Sequence, residues 1–204
     1  MKIIMLTFKY PPCTGSISDY VYFLAKGLID LGHEIHLITI ENNMCPIKED
    51  QNGIFIARVK ASFPYTEDYT KWVLQVNFSM LEECIRIIEK YGKPDLIHAH
   101  DWHTSFAAKT IKWAYNIPLV CNVHSTEFER NGSINTDSRR FISSTEWTLV
   151  YEAKKIIVSS EYLKSQIKDI YSIPKEKIKC INNEIILDKN ISKEVGQIYE
   201  GIFL

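Results

Sequence analysis

The sequence predicts a doubly wound α/β domain around a mostly parallel sheet. Two patterns carry this. Short runs that are apolar throughout, rather than alternating, recur along the chain, and such runs belong to strands buried on both faces. Nearly every run is followed by a stretch with helical spacing of apolar residues, the order that produces parallel strands joined by crossover helices. Composition agrees: 204 residues with 46% hydrophobic and 24% charged side chains form an ordinary globular chain.

In chain order, residues 2–8 (KIIMLTF) read as the first strand. The loop after it carries Pro11, Pro12 and Gly15. Val21, Leu24, Ala25, Leu28 and Ile29 then mark a helix over residues 18–31, with Ser16 or Ser18 as its cap and Gly32 at its end. Residues 33–40 and 53–59 are strands, separated by a polar loop over residues 41–52; residues 60–66 form another loop. A helix through Val73, Val76, Leu81, Cys84, Ile85 and Ile88 stops at Gly92-Lys93-Pro94. Residues 95–100 (DLIHAH) are a strand, 105–115 a helix and 118–124 (PLVCNVH) a strand. After a polar stretch over 125–138 come a helix to about residue 153, a strand over 154–159, a helix over 161–171 and a last strand over 177–181. Ile191, Val195, Ile198, Tyr199 and Ile202 form a final helical stripe.

Several function classes are excluded at this level. Net charge is −1, which implies no broad basic surface for nucleic acid. No apolar run approaches the roughly 18 residues that span a bilayer, and no leader-like segment opens the chain, so a cytoplasmic protein is expected. The five cysteines are scattered without CxxC spacing, which argues against a disulfide framework or a cysteine zinc site; Cys84 and Cys121 read as core thiols.

In doubly wound sheets, ligands bind beyond the carboxyl ends of the strands. That directs attention to residues 9–18, 98–104, 124–131 and 159–161. The loop Pro11-Pro12-Cys13-Thr14-Gly15-Ser16 leads into a helix whose free N–H groups can face a phosphate, or it is simply a tight turn with Gly15 at positive φ. His98-Ala99-His100-Asp101-Trp102-His103 is the densest polar cluster. Alternation puts His98 and His100 on one face, with Asp101 and His103 at the strand end. Three readings stand there: a metal site, satisfied histidines lining the sheet end, or a sugar- or phosphate-binding loop. The order H-x-H-D-x-H and the alternating fold depart from binuclear zinc hydrolases. His124 emerges on the same rim, followed by Ser125; Glu127, Glu129, Arg130 and the Arg139-Arg140 pair read mostly as solvated charges.

Four segments resemble glycosyltransferase family 4 and the glycogen and starch synthases: KIIMLTFKYPP…GSISDYVYFLAKGLIDLGHEIHLIT, PDLIHAHDWHTSFAA, IPLVCNVHSTEF and AKKIIVSSEYLKSQIKDIYSIPKEKIKCINNEI. The likeness runs from residue 1 to about residue 188. It implies the N-terminal half of a GT-B enzyme: a Rossmann-like, acceptor-side domain over 1–188, with residues 189–204 as a helix that packs back on it. Such enzymes transfer sugar from a nucleotide-sugar such as ADP- or UDP-glucose to a glycan or other acceptor, with retention and without a resident cofactor or metal. By this resemblance His124 and Asp101 take catalytic positions beside the transferred sugar. Thr14, Gly15, Asp19, His103 and Ser125 take substrate-binding positions. The first loop lacks the lysine and second glycine of the synthases' Lys-Thr-Gly-Gly-Leu, and Ser125 stands where they have asparagine. The resemblance further implies that the donor-binding domain is missing between about residues 188 and 191. A half without it is inactive alone and either depends on a separate donor-binding chain or serves as a non-catalytic glycan- or partner-binding module.

Overall fold

The computed structural model describes residues 1–63, 66–182 and 190–203. The strands are β1 (Lys2–Leu6), β2 (Glu34–Ile40), β3 (Lys48–Gln51), β4 (Ile54–Val59), β5 (Leu96–His100), β6 (Leu119–Asn122), β7 (Lys155–Val158) and β8 (Ile178–Cys180). The helices are α1 (Ser16–Asp30), α2 (Tyr69–Tyr91), α3 (Ser105–Tyr115), α4 (Glu127–Asn131), α5 (Asp137–Glu152), α6 (Glu161–Tyr171) and α7 (Asn190–Glu200). The strands form one sheet in the order β3-β4-β2-β1-β5-β6-β7-β8, parallel except for β3.

The apolar runs are explained by two cores, one on each face. Ile4, Leu6, Ile97 and Cys121 pack under α2, α3, α5 and α6, through Met80, Ile111, Leu149 and Ile167. Ile3, Met5, Leu37 and Val120 pack on the other face, under Leu24 and Leu28 of α1 and Ile191, Val195 and Tyr199 of α7. Successive β1 residues therefore feed opposite cores, and neither face tolerates a polar position without a partner. All five cysteines are free, with Cys84 and Cys121 fully buried.

Two elements differ from the sequence expectation. Residues 48–51 lie in a stretch read as loop, yet they form the antiparallel edge strand β3. Their side chains are charged or amide-bearing, so hydropathy conceals them. The available signal was Asn52-Gly53: both residues have positive φ (55° and 87°), and Asp50 Oδ1 accepts the Gly53 N–H at 2.8 Å. That dipeptide favours a tight hairpin whose twist suits the flanking strands. The second difference is the cap of α1. Gly15, at φ 130°, occupies the cap position without a side-chain bond, and Ser16 is already helical, so neither serine caps the helix. Within the polar stretch 125–138, the single turn α4 is capped by Thr126, whose Oγ1 accepts the Glu129 N–H.

The helix α7 crosses α1 closely. A Cβ on Gly27 would lie 2.6 Å from Ser192 Cβ, so the bare backbone at Gly27 admits the α7 side chain. Ile191, Val195 and Tyr199 are buried, and Ile198 and Ile202 pack at the margin. The junction expected near residues 188–191 falls largely outside the described residues. Among the described residues, no helix is long and apolar enough to cross a membrane.

Candidate active site

The chain leaves β1 toward β2 and β4, then returns through α2 to β5 on the other side of β1. The loops after β1 and β5 consequently part company at the switch point, opening a crevice at the carboxyl ends of the strands. A cleft of about 520 Å³ occupies that place. Its walls include Phe8, Lys9, Cys13 and Ile17 from the first loop and helix, His100–His103 from the end of β5, Tyr69 and Trp72 from α2, and Ser125 and Arg130 beyond β6.

Asp101 is the hinge of this rim. It is 7% exposed and adopts φ 57°, ψ 171°, a conformation that side-chain-bearing residues rarely hold. Cross-ties to β6 keep it there: its N–H donates to Asn122 O at 2.9 Å, and its Oδ1 accepts the His124 N–H at 2.8 Å. Beyond it, a 3-10 turn (Trp102–Thr104) leads into α3, with Thr104 Oγ1 donating to Asp101 O at 3.1 Å. Asn77 of α2 fixes this turn from the side. Its Nδ2 donates to His103 O at 2.6 Å, and its Oδ1 accepts the Ala107 N–H at 3.0 Å.

Behind the rim stands a column of imidazoles. The rings of His98 and His100 stack at 4.5 Å, and those of His100 and His124 at 5.5 Å with 13° between planes. His98 Nδ1 lies 2.6 Å from the Tyr199 hydroxyl and Nε2 lies 2.7 Å from Asn122 Oδ1. Asn122 Nδ2 in turn donates to the Tyr20 hydroxyl at 3.1 Å. These partners fix the tautomer: Nε2–H donates to the amide oxygen, and Nδ1 accepts from Tyr199. Burial holds His98 down to about 3 and His100 well below the ordinary imidazole range; burial also lowers His124, against the pull of Asp101. The column is therefore neutral at pH 7. His100 Nδ1 shares a hydrogen bond of 3.2 Å with His124 Nε2, while its own Nε2 is buried without a partner among the described residues. His103, also lowered by burial to about 4, points its Nε2 at the Tyr69 hydroxyl, 3.0 Å away, with its ring 4.9 Å from that of Phe8.

The structure thus brings Asp101, His103 and Ser125 to the cleft wall and sets His124 directly behind His100. Thr14, Gly15 and Asp19 are exposed and are not among the lining residues; the flanking Cys13 and Ile17 carry the first loop into the cleft. Residues 159–161 do not reach it either, since they follow β7, three strands from β1, and Ser160 is used as the cap of α6. Glu127 and Arg130 correct the expectation of solvated charges. Glu127 is buried, and Arg130 Nη2 bridges its Oε2 (2.9 Å) to Glu146 Oε1 (2.6 Å). Arg130 Nη1 also donates to Ser125 Oγ at 2.9 Å, so the loop after β6 is tied to α5 by paired charges. Burial raises the Glu146 carboxyl, against the Glu127 N–H, Tyr171 and Arg130 that favour its charged form. Arg140 remains a surface residue. Among the described residues, no group of three or more His, Cys, Asp or Glu side chains is arranged to hold a metal ion. The residues that sequence reasoning missed are Asn122, Tyr20, Tyr69 and Tyr199. An asparagine inside an apolar strand signals a buried hydrogen-bond hub, and Asn122 fits that description.

The fold is a Rossmann-like domain of the GT-B type. Residues 17–189 match the sequence model of Glycosyltransferase Family 4, and the chain belongs to that family. It is 34% identical over 188 residues to an uncharacterized glycosyltransferase of Methanocaldococcus jannaschii, covering 91% of this chain and 46% of that protein. A glycogen synthase of Mycobacterium tuberculosis is 25% identical over 204 residues, with 91% and 48% covered. The chain therefore spans about half the length of these relatives. In fold, it resembles a sucrose-phosphate synthase chain from Thermosynechococcus elongatus (TM-score 0.72, 18% identity, each chain fully covered). It also resembles the catalytic domain of starch synthase IV from Arabidopsis thaliana bound to ADP and acarbose (TM-score 0.61, 15% identity, 89% and 51% covered).

Proposed function

We propose that the chain forms the acceptor-side lobe of a retaining sugar transferase that uses a nucleotide-sugar such as ADP- or UDP-glucose. The observation that carries the reading is the Asp101–His124 tie at the switch point, where a cleft residue of strained backbone uses its carboxylate to hold the backbone of a neutral histidine just behind the cleft wall. Membership of the family and a fold shared with a starch synthase bound to ADP and acarbose support it. In this reading, His124 meets the transferred sugar near its reacting carbon, and Asp101 sets its position. His103 and Ser125 bind substrate from the cleft wall; Thr14, Gly15 and Asp19 do so from the first loop and helix when the opposing lobe closes.

The leaving diphosphate needs fixed positive charge. Lys9 and Arg130 are the lysine and arginine on the cleft wall, and Arg130 is already engaged by Glu127 and Glu146. The remaining cations would come from a second lobe. A glycan-binding role without turnover is the second reading, favoured by the half-open aromatic pair Tyr69 and Trp72, whose rings lie 5.7 Å apart at the cleft mouth.

Nucleotide release from ADP- or UDP-glucose with a malto-oligosaccharide acceptor tests whether these 204 residues need a second lobe, and calorimetry with each ligand tests the site. The expected result is no release by the chain alone, with glycan or nucleotide-sugar binding that weakens in Asp101→Ala. Sugar transfer by the isolated chain contradicts the need for a second lobe. Absence of binding by either ligand contradicts the site.

A further inference from the structure

We propose that the pole opposite the cleft docks on a bilayer surface carrying anionic lipid headgroups. This inference is independent of the transferase reading. The pole is formed where α3 and α5 end and β6–β8 begin. Residues 109–113, 151–155 and 175–179 contribute seven lysines against two glutamates, in a chain whose net charge is −1. Hydrogen bonds join these segments. Lys112 Nζ donates to Glu152 O at 2.9 Å, Lys155 Nζ to Glu176 O at 3.2 Å, and Lys177 Nζ to Tyr151 O. One of the two glutamates, Glu152, is buried and takes up Lys112 at 2.6 Å and Lys109 at 3.9 Å, which leaves Lys154, Lys155, Lys175, Lys177 and Lys179 against Glu176 as the outward charge.

Three large aromatic side chains stand exposed on the same face: Trp113 at 67%, Tyr151 at 59% and Trp147 at 43%. They are held in place rather than splayed. Trp113 Nε1 donates to Glu152 Oε2 at 2.9 Å, and the Trp147 and Tyr151 rings stack at 5.0 Å with 20° between planes. Lys112 and Lys177 lie over the Trp113 and Tyr151 rings at 4.7 and 5.7 Å. Tryptophan and tyrosine favour the depth of lipid headgroups, and lysines near an anionic surface add about 1 kcal/mol each. Neither group gains as much from water alone, and together they match a negatively charged interface with an apolar layer beneath. Docking there leaves the cleft, at the other ends of the strands, facing away from the membrane.

Flotation with vesicles of phosphatidylcholine, with and without phosphatidylglycerol, tests the proposal on the full chain. Binding is expected only with phosphatidylglycerol and is expected to fall as salt rises. The double variant Lys154→Glu/Lys175→Glu, checked for native circular dichroism, is expected to bind at least about ten-fold more weakly. Brominated lipid is expected to quench tryptophan emission in the native chain and to lose that effect in Trp113→Phe/Trp147→Phe. Equal partition to both vesicle types, quenching undiminished in the phenylalanine variant, or binding to RNA without binding to vesicles would each overturn the proposal.

Discussion

At the scale of single residues, the site rests on side chains held where they would not sit by default. Asp101 combines a positive φ of 57° with a carboxylate that satisfies the His124 N–H. The two features separate by mutation. Asp101→Ala loses the acceptor, which costs about 1–3 kcal/mol for a buried N–H left unpaired, and retains the strained backbone. Asp101→Gly loses the same acceptor but adopts the backbone freely, so it should be more stable than the alanine variant by about 1 kcal/mol in urea denaturation. Equal stability of the two would deny the strain. The imidazoles of the column and His103 make a second prediction. Their folded pKa values lie below the ordinary 6.5, with His98 at about 3 and His103 at about 4. As pH falls below 6.5, the unfolded chain takes up protons that the folded chain refuses, so stability is lost from there downward toward the folded values. His98 alone accounts for about 2 kcal/mol between pH 7 and pH 5, equivalent to a Tm lower by about 4–8 °C. A Tm unchanged at pH 5 would mean that the column is hydrated and titrates normally.

At the scale of elements, α7 is the piece most distant in sequence from the site and yet tied to it. Its Tyr199 reaches through the core to His98, two residues from the cleft residue His100. That docking depends on Gly27. In an isolated helix Gly27→Ala would stabilise by about 1 kcal/mol. Here the new Cβ meets Ser192, so the variant should unfold at lower urea, and Gly27→Ala/Ser192→Gly should recover most of the loss. A higher midpoint for Gly27→Ala would show that α7 is not seated on α1. Elements of this kind were unequally visible beforehand. The strands β1, β2, β5 and β6 were legible because burial on both faces writes continuous apolar runs. The strand β3 was not, because an edge strand keeps charged residues outward and reveals itself only through its Asn52-Gly53 turn. Asp101, His103 and Ser125 were legible as polar residues delivered to one rim. The roles of Asn122, Glu127 and Tyr199 were hidden because each depends on a partner 19 to 101 residues away.

At the scale of the whole molecule, the sheet separates two surfaces of different character. The carboxyl ends of β1 and β5 open into the cleft, which is lined by neutral imidazoles, the Tyr69–Trp72 pair and tied loops. The opposite pole gathers lysines and exposed rings. The proposal with the widest reach is that the cleft beside Asp101 and His124 is the ligand site of this lobe. Backbone amide NMR of the chain, titrated with a malto-oligosaccharide and with UDP-glucose, tests this most directly. Fast-exchange shifts confined to residues 8–17, 100–104 and 124–130 are expected, at about millimolar affinity. Shifts centred on any other face, or none at the cleft while the ligands bind, would contradict it.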